Sequence, residues 1–400
     1  MIKKIMKISL TCPASLPASQ FGGIMFLCVH IAKNLSEQGH DVTIYTTDLD
    51  FANNPHTFNR NLPRNQLVNK FKINRSHVWF SLYLFYVNPG MYLQMLKNSH
   101  DVIHAVGVRS FQALVAALIA KRKNIPLIVA DQGGLTTHPD LQQSHFIKKI
   151  LIRMQNIMVR FIVNQATKVI VANEYEKEIF SKFCDPSKIE IIRNGIDLED
   201  LKTSSLSNFK EKYQITGDFI LFVGRFSKVK GVDILLKSIN MIKDLPQMKK
   251  TQLVIMGVDF GFESEMLRMI AEMKIGNKIK VIKNPPREDV ISAYNESKFL
   301  VLPSRWELSP LTPLEGFAFK KAVISTKTHG IPFTIKDKEN RLLVESENPQ
   351  QLADAIIELL DDEQKCLEYG LAGYKLVNEL CNAKSMSENT LKIYQDIIKR

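Results

Sequence analysis

Residues 219–231, "FILFVGRFSKVKG", decide how the chain is read. From Phe219 to Gly224 no polar side chain interrupts the run. A strand with one wet face would alternate, so an unbroken run predicts a strand covered on both faces, as in a parallel sheet sandwiched by helices. The run stops at Gly224, and the cations Arg225 and Lys230 follow in a strand-to-helix loop. In a doubly wound sheet such a loop lies at the carboxyl end of the strand, where ligands bind.

Outward from this stretch the pattern repeats. "QLVIMG", "IKVIK", "FLVLPS" and "AVIST" continue it in the second half of the chain. In the first half "KIMKISL", "DVTIYTT", "DVIHAV", "PLIVAD" and "KVIVAN" are the strands, with helical stretches such as "GIMFLCVHIAKNLSEQG" and "SFQALVAALIAKRKN" between them. Strands alternating with helices imply βαβ units. Gly, Asp and Ser gather in "RNGIDLEDLKTSSLSN" at 193–208, which marks the break between two domains. The boundaries expected are 1–196, 197–375, and 376–400 as a C-terminal helix able to pack back on the N-terminal domain.

The chain has 400 residues, too many for one ordinary core and enough for two. Its 45% hydrophobic content is that of a globular chain. No apolar run reaches the ~18 residues of a membrane helix. "VWFSLYLFYV" at 78–87 stops at Asn88-Pro89, and Lys7 cuts short the apolar segment of a would-be secretory signal. Five cysteines without a CxxC pair indicate reduced thiols, hence a cytoplasmic protein. The net charge of +12 is one-sided: residues 51–100 contain six Lys or Arg and no acid. An anionic partner is expected on the N-terminal half, either a phosphorylated substrate, a membrane surface or nucleic acid. The neutral second half, with its paired acids, speaks against nucleic acid.

Three places carry candidate chemistry. Arg225 and Lys230 combine a planar fork with a compact ammonium, suited to clamping a diphosphate and to stabilising charge on it as it leaves. "WELSPLTPLE" at 306–315 follows the strand "FLVLPS" and sets Glu307 and Glu315 eight apart. Glu307 falls in the loop at the strand's carboxyl end. Thr312-Pro313-Leu314-Glu315 has the form of a capping box, so Glu315 has a structural use of its own, and the helix start would face a phosphate. Gly22-Gly23 lies between the first strand and first helix, where a backbone can approach a ligand closely, and Gly257 ends another strand. "DLD" at 48–50 is read as the end of the second strand and given no metal.

"VGRFSKVKG", "LPSRWELSPLTPLE" with its E-x7-E spacing, "RNGID" and the early Gly-Gly together resemble glycosyltransferase family 4, over nearly the whole chain. The resemblance implies the α/β GT-B fold, two Rossmann-like doubly wound parallel-sheet domains facing an interdomain cleft. It implies a retaining transferase that uses a nucleotide-diphosphate sugar, with no cofactor and no metal. By position, Glu307 would contact the donor sugar's hydroxyls, Glu315 the ribose, and Arg225 and Lys230 the pyrophosphate. Backbone at Leu311 and Thr312 would meet phosphate, and Gly22, Gly23 and Gly257 would also lie on the donor. His104, Arg109 and Gln132 would lie on the acceptor side. The chain departs from the family pattern at Val106 and Gln132, where histidines are usual, at Pro310 and Arg341, where glycines are, and at Arg193, where proline is. A nucleotide-sugar epimerase or hydrolase could share this fold, and Val106 and Pro310 keep open a non-catalytic binding relative.

The expected acceptor is a glycan, lipid-linked or at the cell surface, with an anionic membrane surface as a candidate partner. In "FIKKILIRMQNIMVRFI" at 146–162, Phe146, Ile147, Ile150, Leu151, Met154, Ile157, Met158, Phe161 and Ile162 fall on one helical arc, with Lys148, Lys149, Arg153 and Arg160 beside it. Such an arc either packs on the sheet or lies against lipid.

Overall fold

The computed structural model describes residues 5–50, 57–82, 84–131, 139, 146–203, 208–334 and 341–398. They form two compact units, Met1–Gly195 with Ala383–Arg400, and Ile196–Asn382.

The first unit is built on strands β1 (Lys7–Thr11), β2 (Asp41–Thr47), β3 (Asn65–Val68) and β4 (Phe71–Ser76). A separate hairpin follows, β5 (Phe80–Leu82) with β6 (Phe85–Val87), and then β7 (Val102–Val106), β8 (Leu127–Ala130), β9 (Lys168–Val171) and β10 (Ile189–Ile191). The large sheet has the order β10-β9-β8-β7-β1-β2-β4-β3, parallel except for the edge pair β3–β4. Helix Phe111–Lys123 shows how sequence sets its ends. The Ser110 side chain caps its start by accepting from the Ala113 N–H at 3.1 Å, and Asn124 ends it in the left-handed conformation.

The second unit carries β11 (Asp218–Val223), β12 (Thr251–Gly257), β13 (Ile279–Lys283), β14 (Phe299–Leu302), β15 (Val323–Thr326) and β16 (Arg341–Val344). All pairs in the order β13-β12-β11-β14-β15-β16 are parallel. The unbroken apolar run of β11 now has its reason. Ile220 and Phe222 enter a core with Val232, Leu235 and Leu236 of the helix Val232–Ile242. Phe219 and Leu221 enter the opposite core with Leu314, Phe317 and Tyr294. Each face of the strand has its own helices, so neither can be polar.

One sequence expectation is corrected and one is sharpened. A domain boundary at 375/376 would cut the helix Glu363–Glu379, which runs on through it. The second unit instead extends to Asn382, where Ile196 donates its N–H to Cys381 O at 3.1 Å, and the last helix, Ala383–Ile398, belongs to the first unit. The helix at 146–162 spans Phe146–Gln165, and the arc drawn through it divides along its length, with Met158, Phe161 and Ile162 packed on the core of the first unit. Val159, Ile162 and Val163 are buried, whereas Ile150, Met154 and Ile157 are exposed. The side chains of Phe146, Ile147, Lys148 and Lys149 lie outside the described residues. The helix covers the sheet with its second half.

Candidate active site

The strand order of the second unit reverses between β11 and β14. Connections leave these two neighbours toward opposite faces of the sheet, which opens a crevice at their carboxyl ends. Both predicted charge-bearing loops start there. Arg225 and Lys230 follow β11, and Glu307 follows β14.

Backbone constraints fix the first loop. Gly231 sits at φ 69°, and a Cβ there would come within 1.9 Å of the Pro303 carbonyl oxygen, so only glycine lets the β11 loop touch the end of β14. That approach delivers Lys230 to the crevice. Its ammonium donates to Glu307 Oε1, and the same oxygen accepts from Ser304 Oγ at 3.0 Å. Glu307 is buried, and Gly330 N donates to its backbone carbonyl at 3.0 Å. Arg225 lies over the Phe260 ring, 4.8 Å from its centroid. Phe226 beside it is buried, its N–H donating to Val258 O at 2.8 Å.

Arg305 was not foreseen, although it stands two residues before Glu307. Its guanidinium makes a bidentate contact with Asp233 at 2.6 and 2.8 Å, donates to Lys228 O at 2.5 Å, and pairs with Glu347. Its backbone N–H donates to Val229 O at 2.8 Å. One side chain therefore ties the Lys228–Lys230 turn to the loop that carries Glu307. The Asp233 bond, against the opposition of burial and with help from Glu347, holds the guanidinium pKa well above its ordinary value. An arginine between a strand and a predicted site glutamate was the available signal. Its partner Asp233 gave none.

Glu315 corrects another expectation. The helix opening there is Leu311–Ala318 with Pro310 as N-cap and no side-chain cap, so Thr312 and Glu315 form no capping box. Glu315 turns to a neighbouring helix, Arg287–Glu296, instead. Its Oε1 accepts from Arg287 Nη2 at 2.5 Å and its Oε2 from Tyr294 OH at 2.7 Å. Burial opposes the Arg287 charge, but Glu315 outweighs it and the guanidinium pKa is raised. A part-buried Arg and a buried Tyr are stronger partners for a carboxylate than a helix's own amide. Leu311 and Thr312 occupy the first turn, whose N–H groups have no partner within the helix. Gly257 is buried, and its missing Cβ has a packing reason: it would stand 1.8 Å from the Gly224 carbonyl oxygen.

In the first unit the strand order reverses at β1 and β7. Gly22, at φ 100°, caps the helix Gly23–Glu37 that follows β1, a conformation suited to glycine. His104 is not available to an acceptor. It is buried inside β7, its Nδ1 is 2.7 Å from Tyr394 OH of the last helix, and burial lowers its pKa to about 3. Beside it is a cavity of about 20 Å³, lined also by Val106, Asn194 and Thr390, with room for one water and no sugar. Arg109, just past β7, donates to Asn156 Oδ1 at 2.5 Å and Gln155 Oε1 at 3.4 Å. Burial lowers its pKa while nearby Asp131 raises it. Gln132 lies outside the described residues. Asp48 of "DLD" follows β2 and accepts from the Val78 N–H at 3.1 Å, with His77 Nδ1 2.5 Å from its other oxygen. Glu176 was also missed. It is buried, and burial, opposed by a bond from Ala172 N–H and reinforced by Asp131, raises its pKa to about 8.

Comparison with known proteins supplies the context for this geometry. A family model described as "Glycosyltransferase Family 4" matches residues 21–200, and one described as "Glycosyl transferases group 1" matches residues 207–376. An uncharacterized glycosyltransferase of Methanocaldococcus jannaschii is 28% identical over 297 residues, covering 72% of this chain and 73% of its own. The D-inositol 3-phosphate glycosyltransferase of Corynebacterium diphtheriae is 23% identical, covering 93% of this chain and 90% of its own. Among solved structures, sucrose-phosphate synthase from Thermosynechococcus elongatus superposes with a TM-score of 0.78 at 18% identity, over 98% of this chain and 99% of its own. Anabaena HepE in complex with UDP-glucose superposes with a TM-score of 0.75 at 16% identity, over 98% and 100%. At such identities these likenesses show the fold, which is GT-B.

Proposed function

We propose that this chain, which belongs to the group 1, family 4 glycosyltransferases, moves a sugar from a nucleotide-diphosphate donor to a hydroxyl of a lipid-linked or cell-surface glycan, with retention of the anomeric configuration. The observation that carries this reading is the Lys230–Glu307 contact across the β11/β14 crevice. Here the ammonium and carboxylate satisfy each other. A donor would take both apart productively: diphosphate oxygens accept from Lys230 and Arg225, and sugar hydroxyls donate to Glu307. Arg305 is the positioning residue that keeps the two loops in register.

In the reaction, the bond from the sugar's anomeric carbon to the diphosphate oxygen breaks, and the electron pair leaves with the nucleotide. The acceptor oxygen bonds to the same face of that carbon, and its proton passes to the departing phosphate oxygen. Positive charge fixed at 225 and 230 stabilises the leaving group more as its charge grows, which lowers the barrier and not only the donor's dissociation constant. We assign no metal to this step. The UDP-glucose held by HepE and the D-inositol 3-phosphate in the corynebacterial enzyme's name support a nucleotide-sugar donor and an alcohol acceptor.

The test is a thermal-shift screen of UDP-, GDP- and ADP-sugars, followed by incubation of the best binder with glycan acceptors and NMR of the product. A ligand at a hundred times its dissociation constant adds ~2.7 kcal/mol of stability. Transfer with inverted configuration would refute retention. Free sugar formed equally with and without acceptor would indicate a hydrolase or epimerase, and binding without turnover a non-catalytic relative. Loss of turnover in EDTA, restored by a divalent ion, would refute the metal-free step.

A further inference from the structure

We propose that the hairpin β5–β6 and the outer stripe of the helix Phe146–Gln165 form a docking surface for an anionic lipid bilayer.

The hairpin leaves several large apolar side chains exposed. Trp79 is 72% exposed and Phe80 61%, and Leu82 and Leu84 are exposed beside them. It is nonetheless well held. The Trp79 N–H donates to Val87 O at 2.9 Å, and Tyr86 is buried with its ring 5.6 Å from that of Phe58. Phe85 meets Phe111 edge-on at 6.3 Å. The hairpin is thus anchored through Phe85 and Tyr86 while an indole, a phenyl and two leucines within residues 79–84 stay exposed. Isolated exposed apolar residues need no explanation, but four within six residues of an anchored hairpin mark an interaction site.

The helix adds a second apolar stripe. Ile150, Met154 and Ile157 are exposed at spacings of four and three, so they share one face. Arg109 connects the two features. It donates to Gln155 and Asn156 within that stretch of helix and stands two residues before Phe111, which supports the hairpin. Both apolar groups therefore flank the start of the same helix, Phe111–Lys123.

Charge identifies the occupant. Residues 51–100 include six Lys or Arg without an acid, and the helix Phe146–Gln165 carries Lys148, Lys149, Arg153 and Arg160, again without an acid. Arg153 and Arg160 are exposed. A protein partner would be expected to meet at least some acids in exchange. Exposed aromatic and aliphatic side chains in acid-free stretches, with Arg153 and Arg160 exposed beside the helix stripe, fit the interface of a membrane with anionic headgroups. Among the described residues no helix is long and apolar enough to cross a membrane, so the contact is one of surface docking. The inference deepens the acceptor assignment above, in that a lipid-linked glycan would be met at this surface, but its test does not use transfer.

The chain has two tryptophans, and Trp306 is only 7% exposed, so exposed-indole fluorescence reports Trp79. The full chain is titrated with vesicles of phosphatidylglycerol mixed into phosphatidylcholine, and with pure phosphatidylcholine. A blue shift with the anionic vesicles only, absent in Trp79→Phe, is expected. Cosedimentation with the same vesicles should fall at least about tenfold in the double variant Trp79→Ser, Phe80→Ser, and also in Met154→Gln, Ile157→Gln. Donor-induced thermal stabilisation should remain in both, which shows that they are folded. Equal binding to neutral and anionic vesicles would overturn the proposal, as would unchanged binding of both variants. A shift that grows with protein concentration in the absence of lipid would also overturn it, in favour of a second copy. A lipid-dependent shift in a chain that no nucleotide-sugar stabilises would keep this proposal and remove the transfer reading.

Discussion

At the reversal point of the second sheet, Arg305, Lys230, Glu307 and Ser304 form a charged chain across two loops. At the reversal point of the first sheet, β7 presents His104, which burial keeps neutral, while Glu176 near β9 is held protonated at neutral pH. Both sheets are doubly wound and parallel, apart from the β3–β4 edge pair of the first. The difference lies in where glycine allows loops to meet. Gly231 lets the β11 loop touch Pro303, so long charged side chains from separate strands converge. In the first unit, the last helix, through Tyr394, and the neighbouring carboxyls occupy the interior, and desolvation discharges what is enclosed. The same architecture can thus support a charged site or a neutral core.

The largest test concerns Glu315, whose role differs from that of Glu307 although the two belong to one motif. Glu315→Ala should cost about 3 kcal/mol in urea denaturation, because it leaves buried Tyr294 and part-buried Arg287 without their acceptor. A loss of only about 1 kcal/mol would return it to a simple cap. Glu307→Ala should leave the fold in place and lower kcat at saturating donor by at least about a hundredfold, ~2.7 kcal/mol of transition-state stabilisation. An equal loss of kcat in both variants would erase the distinction drawn between them.

Next comes Lys230→Ala, expected to lower kcat at least about tenfold, ~1.4 kcal/mol. A change in donor affinity alone would mean that the ammonium binds without stabilising the leaving group. The smallest effect belongs to the first unit. The folded pKa of Glu176, about 8, lies above the ordinary carboxyl value of 4.5, so the folded state holds an extra proton between them and stability falls as pH rises through that window. Glu176→Gln should remove this loss, giving a melting temperature higher than that of the parent chain at pH about 8 and a smaller gain near pH about 5. A parallel pH dependence in the two proteins would show that the carboxyl is ionised in the fold.

The legibility of the sequence follows from the range of the interactions involved. Continuous apolar runs such as "FILFVG" and "FLVLPS" declare buried parallel strands because every residue of such a strand faces a core. The placement of Arg225, Lys230 and Glu307 in loops at the carboxyl ends of β11 and β14 was legible because the apolar runs before them end sharply. The arc on the helix Phe146–Gln165 was legible only as a stripe, because periodicity does not say how much of it meets a core; Met158, Phe161 and Ile162 do, while Ile150, Met154 and Ile157 are exposed. The capping box at 312–315 misled because a local hydrogen bond competes with distant partners that a linear pattern does not show.

The order of apolar and polar residues alone determined two βαβ-type halves, their covered strands, and the loops that carry cations and acids, since burial and helix period are properties of neighbouring residues. Tertiary structure alone decided that Arg305 would tie two loops together, that Glu315 would answer to Arg287 and Tyr294, and that His104 would serve the last helix. Those choices depend on which side chains meet across long stretches of chain, and desolvation then fixes the charge each of them can hold.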